Sequence, residues 1–283
     1  NTRKYDFSFT KEEEDEINKV LEIDNQIYKY AVKKFEENLK KIIVKEINLR
    51  AKSNSDLKVF FLHVMKSGGT SVIDMLKKHF NEKDIVPLKY HLIINSRTSS
   101  LNNDLKKQVE DLRENPIYKE KVKNIEELLP EKASISELDF KIIFNNFKFM
   151  ADHTTFQTVL PKEWSLVTIL RDPKDRILSQ INDLKTASDQ DVESIPETTV
   201  GKRDLMLKIK KMSSDEILSI DNNWIKEIFI NTQTKMVAGF FGKTKNFNEK
   251  TDDEILNIAS NNLNNFLAVG IHDKFFESIA LLH

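Results

Sequence analysis

The chain has no cysteine among its 283 residues, which excludes disulfides, thiolate nucleophiles and cysteine-ligated zinc together. It also lacks an excess charge of either sign: 44 basic and 45 acidic side chains leave a net charge of −1. No global field therefore points to nucleic acid or to an anionic membrane. No apolar run approaches the ~20 residues of a membrane span. No signal peptide is visible, although a start at Asn1 leaves a removed leader or upstream region open. There is no internal repeat and no low-complexity tract. With 39% hydrophobic residues, the chain has enough apolar material for one sizeable core, hence one domain plus an appendage.

Glycine is scarce, yet two of the six sit side by side in Lys58–Phe80 (KVFFLHVMKSGGTSVIDMLKKHF). A short β-branched and apolar run ends there in Lys66-Ser67-Gly68-Gly69-Thr70-Ser71 and then opens an amphipathic helix. Glycines at a strand-to-helix turn allow close approach of a ligand, and the N–H groups of the helix start favour an anion. A lysine and hydroxyls add a point charge and further donors. The turn reads as a phosphate cradle. It is not the G-x-x-x-x-G-K-[ST] loop, because its lysine precedes the glycines.

A second segment, Trp164–Ile181 (WSLVTILRDPKDRILSQI), repeats the strand-to-helix pattern. Its strand ends at Arg171, Asp172 is placed to cap a helix, and Pro173 takes the first helical position, where a missing N–H costs nothing. Arg176 and Ser179 share a helical face. Arg171 at the strand tip and Ser179 farther along are candidates to grip a second phosphate. Two anion sites on neighbouring strands suggest a ligand phosphorylated at both ends of a nucleoside.

FLHVMKSGGTS followed by TILRDPKDRILSQ resembles the two signature loops of sulfotransferases that use 3′-phosphoadenosine 5′-phosphosulfate. The branch it resembles contains heparan-sulfate 2-O-sulfotransferase and bacterial carbohydrate sulfotransferases. The resemblance implies a P-loop-NTPase-like central parallel sheet flanked by helices. It places the 5′-phosphosulfate at Lys66, Ser67, Gly68, Gly69, Thr70 and Ser71, and the 3′-phosphate at Arg171 and Ser179. Phe149–His153 (FMADH) matches the stretch that holds the family's catalytic histidine, which makes His153 the base and Lys66 its catalytic companion. Asn231–Gly239 and Asn262–Phe276 fit later stretches of the family, while Met65 departs from its usual proline. The resemblance implies transfer of a sulfuryl group to a hydroxyl acceptor, a saccharide or glycoconjugate, with 3′-phosphoadenosine 5′-phosphate as product. With no cysteine, no H-x-x-x-H or H-E-x-x-H pair and six scattered histidines, the sequence predicts that no metal is needed. A cysteine-free chain without an anchor fits a bacterial, cytoplasmic relative better than one of the Golgi lumen, with membrane association through regions outside this chain also open.

Strands alternating with helices predict an α/β layer fold with a parallel sheet. Residues 57–283 are expected to form the sulfotransferase domain, with variable inserts at 81–140 and 183–213 that select the acceptor. Thr10–Glu13 reads as a capping box that opens one long helix to about Ile47, with a break near Asp24. Glu22–Leu39 resembles the family's C-terminal helix. Residues 1–50 are therefore the tail of a preceding copy of the domain, the domain's own last helix moved to the front, or an unrelated packing helix. Ser213–Glu216 and Thr251–Glu254 read as further capping boxes, and Trp224–Ala238 as one helix between them. Tyr90–Ile94, Phe147–Met150 and Phe266–Gly270 read as strands, and Lys274–Leu282 as a closing helix.

Duller readings stand beside these. Lys66–Ser71 is otherwise an ordinary glycine turn, and Arg171 and Arg176 are otherwise surface partners of Asp172, Asp175 or Asp183, Arg176 being the more structural of the two. His63 reads as a core histidine within its strand, and His79 and His91 as surface or packing residues. Asp152 is a poor substitute base, since strand alternation points it away from His153. Lys202, Arg203, Lys208, Lys210 and Lys211 form a solvated basic face that could meet an anionic acceptor. Two other functions compete: a non-catalytic nucleotide- or glycan-binding module, and a nucleotide kinase, which the lysine order disfavours.

Overall fold

The computed structural model describes residues 10–46, 57–86, 110–111, 114–120, 123, 147–153, 160–188, 192, 202–240 and 250–282. Tyr90–Ile94 lies outside them, as does most of the span 81–140. Four parallel strands form the sheet: β1 (Lys58–Leu62), β2 (Phe149–Asp152), β3 (Trp164–Leu170) and β4 (Ala268–Ile271), in the order β2-β1-β3-β4. The predicted α/β class with a parallel sheet is therefore present.

Both faces of the sheet are covered, as strands of a parallel sheet require. Val59 and Phe61 of β1, with Val167 and Ile169 of β3, join α3 (Gly69–Lys77) through Val72, Ile73 and Leu76. Phe60, Leu62, Leu170, Val269 and Ile271 point the opposite way, into a core shared with α2 (Glu22–Glu46) and the helix Asp252–Asn265. This alternation follows from the two-residue period of a strand. Full burial of each such side chain contributes about 1.5–3 kcal/mol.

The long N-terminal helix occurs as two pieces, α1 (Lys11–Val20) and α2, with the turn at Leu21, three residues before the expected break. Ile17 and Leu21 pack with Ile177, Ile225 and Phe229, whereas Ile23, Ile27, Ala31 and Phe35 pack in the sheet's own core. The helix breaks where its apolar face passes from one core to the other. α2 lies against β4 and against the helices nearest the C-terminus.

The remaining helices are α4 (Pro173–Thr186), α5 (Lys202–Ile209), α6 (Ser214–Leu218), α7 (Asn223–Phe229), α8 (Thr232–Ala238), α9 (Asp252–Asn265) and α10 (Phe275–Leu282). Their starts follow the sequence signals. Asp172 accepts from the N–H groups of Lys174 and Asp175, Thr251 and Glu254 form a reciprocal capping box, and Ser213 and Glu216 do the same. The Thr10–Glu13 signal rests on a Glu13 side chain outside the described residues.

The single helix expected over 224–238 is instead two, α7 and α8, separated by Asn231 at a left-handed φ of 50°. Tertiary hydrogen bonds account for the break. Arg176 Nη1 and Nη2 donate to the Ile228 and Phe229 carbonyls at 2.9 and 2.8 Å, taking up acceptors that end α7. The last strand is shifted by about two residues, and a short turn at His272–Lys274 precedes α10.

Candidate functional site

The two motif-bearing turns lie side by side because β1 and β3 are neighbours, with Leu62 in register with both Asp152 and Thr168. Thr168 Oγ1 donates to the Leu62 carbonyl at 2.8 Å and ties the strand ends together. The connection after β1 leads to β2 on one side, whereas β3 is followed by β4 on the other. The crevice between β1 and β3 is thus a switch point, where open α/β sheets bind ligands.

After β1 the backbone turns through Lys66 at φ 64° and Gly68 at φ 79°. Glycine adopts this left-handed region freely, but lysine does so at a cost of about 1–3 kcal/mol, a strain typical of functional turns. Arg171 Nη1 donates to the Lys66 carbonyl at 3.2 Å and braces the strained residue. α3 then opens at Gly69 without any side-chain cap, and Thr70 and Ser71 are exposed on its first turn. Ser67 Oγ is buried and has no hydrogen-bond partner among the described residues. Lys66 Nζ pairs with Asp183 of α4 at 2.6 Å, at the edge of the site.

Three imidazoles surround this turn. The strand ends at Leu62, so His63 is a half-buried residue of the turn and not the core histidine the sequence suggested. A Cβ on Gly69 would stand 2.0 Å from His63 Cδ2, and one on Gly68 would stand 2.9 Å from His272 Cδ2. The paired glycines therefore admit two histidine rings as well as a turn. His63 stacks on His153 with centroids 4.2 Å apart. His153 Nδ1 lies 2.7 Å from the His63 carbonyl. A carbonyl only accepts, so Nδ1 carries the proton and Nε2 of the neutral ring keeps its lone pair. Burial, with His153 and Lys66 nearby, lowers the pKa of His63 to about 3. Burial also lowers that of His272, with Arg171 adding in the same direction.

The second turn is built differently. The Asp172 carboxylate occupies the start of α4, and Arg171, just beyond β3, is half-buried. Gln233 of α8 holds Arg171 at both backbone groups, accepting from its N–H at 2.9 Å and donating to its carbonyl at 2.8 Å. Ser179 is half-buried two turns along α4, and no hydrogen bond among the described residues ties it to either turn. Arg176 of α4 is fully buried, not a surface partner of the nearby aspartates, and its guanidinium ties α4 to the end of α7. Lys202 lies 4.6 Å from the centre of the Trp224 ring, while Arg203, Lys208 and Lys211 are exposed.

The structure thus brings Lys66–Ser71, Arg171 and His153 to one edge of the sheet. Gln233, His272 and Asp183 join them without having been singled out from the sequence. His272 follows β4 as His63 and His153 follow β1 and β2, and that shared position was the available signal. Gln233 lies in the Asn231–Gly239 stretch that fits the resembled family, and that was its available signal. Among the described residues no cluster of three His, Asp or Glu could hold a metal ion, and no helix is long and apolar enough to cross a membrane. Comparisons with protein-family models, curated proteins and solved structures each give no match.

Proposed function

We propose that this chain transfers a sulfuryl group from 3′-phosphoadenosine 5′-phosphosulfate to a hydroxyl, in the manner of the sulfotransferases its two loops resemble. The observation that carries the reading is the Arg171–Lys66 hydrogen bond, which holds the two turns together beside His153, whose Nδ1 is engaged by the His63 carbonyl. The residues fit such a donor. Ser67 Oγ is a buried donor in want of an acceptor, the start of α3 is uncapped, and Arg171 supplies a second cation one strand away.

When bound, the phosphosulfate supplies the sulfuryl group and a phosphate leaving group. His153 Nε2 accepts the proton of the acceptor hydroxyl as the new O–S bond forms and the old S–O bond breaks, which keeps the charge balanced. Lys66 exchanges Asp183, a pair exposed enough to be worth about 0–1 kcal/mol, for the oxygen on which negative charge develops. Arg171 binds the 3′-phosphate, with Ser179 behind it. The choice of a saccharide acceptor rests on the loop resemblance.

The test is thermal unfolding with 3′-phosphoadenosine 5′-phosphate, compared with ATP plus Mg²⁺. A ligand at 100 times its Kd stabilises the folded chain by about 2.7 kcal/mol. The bisphosphate is expected to raise the melting temperature equally with and without EDTA, and ATP with Mg²⁺ to leave it unchanged. The reverse pattern rejects the sulfotransferase reading in favour of a kinase.

A further inference from the structure

A series of hydrogen bonds runs from the N-terminal helix to Arg171 through residues outside both turns. Asp24, in the first turn of α2, is fully buried. Its carboxylate accepts from Thr234 N at 2.7 Å, from Thr234 Oγ1 at 2.6 Å and from Gln233 N at 3.3 Å. Its own N–H donates to Asn231 Oδ1 at 3.2 Å. Asn231 makes no side-chain cap for α8, so the remote carboxylate of Asp24 satisfies that helix's first turn. Gln233, fixed in this way, is itself fully buried and grips both backbone groups of Arg171. Arg171 lies one residue past β3, beyond the last paired residue Leu170, and these two bonds fix its backbone.

We infer that Asp24 and Gln233 are positioning residues for the second anion-binding turn: they set the backbone of Arg171 and so aim its guanidinium at the 3′-phosphate. The N-terminal helix, which belongs to neither motif, then governs how well the site distinguishes a nucleotide that carries a 3′-phosphate from one that does not. The inference rests on the donor-site reading above.

The experiment measures Kd for adenosine 3′,5′-bisphosphate and for adenosine 5′-phosphate by calorimetry. The intact chain is compared with Gln233→Met, Thr234→Val, Asp24→Asn and Arg171→Ala. Gln233→Met keeps the side-chain length and removes both bonds to Arg171. It is expected to weaken the bisphosphate about 10-fold or more while changing the 5′-phosphate less than about 3-fold. Thr234→Val and Asp24→Asn are expected to shift the ratio in the same direction by about 3-fold. Partial unfolding lowers both affinities by one factor and leaves the ratio untouched, so a merely structural role is distinguished. Should Gln233→Met fail to fold, Thr234→Val decides, because it removes a single bond to Asp24. An unchanged ratio in the folded Gln233 and Thr234 variants, with Arg171→Ala shifting it, overturns the inference and leaves the donor site standing. An Arg171→Ala chain that loses both ligands equally overturns both.

Discussion

After β1 the chain enters α3 through two left-handed residues and an uncapped helix start, whereas after β3 it enters α4 through Asp172, whose carboxylate already takes the N–H groups of Lys174 and Asp175. In sequence the two turns look like copies of one strand-to-helix device. In the structure the first leaves its backbone donors available and the second consumes them. An anion at the first turn meets N–H groups and the positive end of a helix, while one at the second would meet the negative charge of Asp172 there. On the proposed reading, anion binding beside β3 would therefore come from side chains, Arg171 above all. That side chain depends on supports elsewhere, which explains why Gln233 of α8 holds its backbone. A backbone site carries its geometry in its own local sequence, and a side-chain site borrows it from the tertiary structure.

The largest expected effect removes the proposed base beside the first turn. His153→Ala is expected to lower turnover by roughly 10²–10⁴-fold, the scale of a lost general base, with bisphosphate affinity nearly intact. Steady-state kinetics on an accepted hydroxyl substrate, alongside calorimetric Kd values, checks this. Near-normal turnover would move the base to a carboxylate such as Asp152.

Next come the two cations, one for each turn. Lys66→Ala is expected to weaken the bisphosphate and adenosine 5′-phosphate together and also to lower turnover. Arg171→Ala should weaken the bisphosphate by about 10–100-fold, the value of a charge-assisted hydrogen bond, and spare the monophosphate. Equal losses for both ligands in the two variants would erase the distinction between the turns.

The first turn is also the one expected to sense acid. The pKa of His63 falls from about 6.5 in an unfolded chain to about 3 when folded. Between those values the unfolded chain binds the proton and the folded chain does not. Its contribution to stability is therefore complete above pH ~6.5 and is lost as the pH falls toward 3. His63→Gln should flatten the dependence of the urea midpoint on pH in that window, with His272 retaining a share of the slope. Identical slopes for both proteins would show that His63 is not the sensor.

The smallest effect tests the second turn's cap. Asp172→Ala removes both side-chain bonds at the start of α4 and is expected to cost about 1 kcal/mol of stability. It also lifts a negative charge from beside Arg171, so bisphosphate affinity should hold or rise slightly in spite of the lost stability. A drop in affinity larger than that of Arg171→Ala would mean that Asp172 supports the site directly.

Much of this arrangement was legible locally. Apolar runs ending in Lys66-Ser67-Gly68-Gly69 and Arg171-Asp172-Pro173 marked two strand ends and two helix starts. The Asp172 cap and the Thr251–Glu254 box appear as their spacing indicated. The misreadings have separate causes. Trp224–Ala238 has helical periodicity throughout, and it breaks because Arg176 and Asp24, both distant in sequence, take its hydrogen-bonding groups at the break. His63 reads as part of an apolar strand, and it turns out of the sheet because β1 ends one residue earlier and Gly69 leaves room for the ring.

The sequence by itself determined the α/β alternation and the two strand ends that open in polar turns, because periodicity, capping and glycine conformation act within a few residues. Only the tertiary structure decided that β1 and β3 are neighbours, that Arg171 reaches the carbonyl of Lys66, that His153 lies against His63, and that Asp24 supports α8. Those are contacts between groups far apart in sequence, and the buried one, Asp24 with Thr234, is costly to leave unmatched. The partner that satisfies such a group is found by packing in space, at sequence separations over which no local pattern carries information.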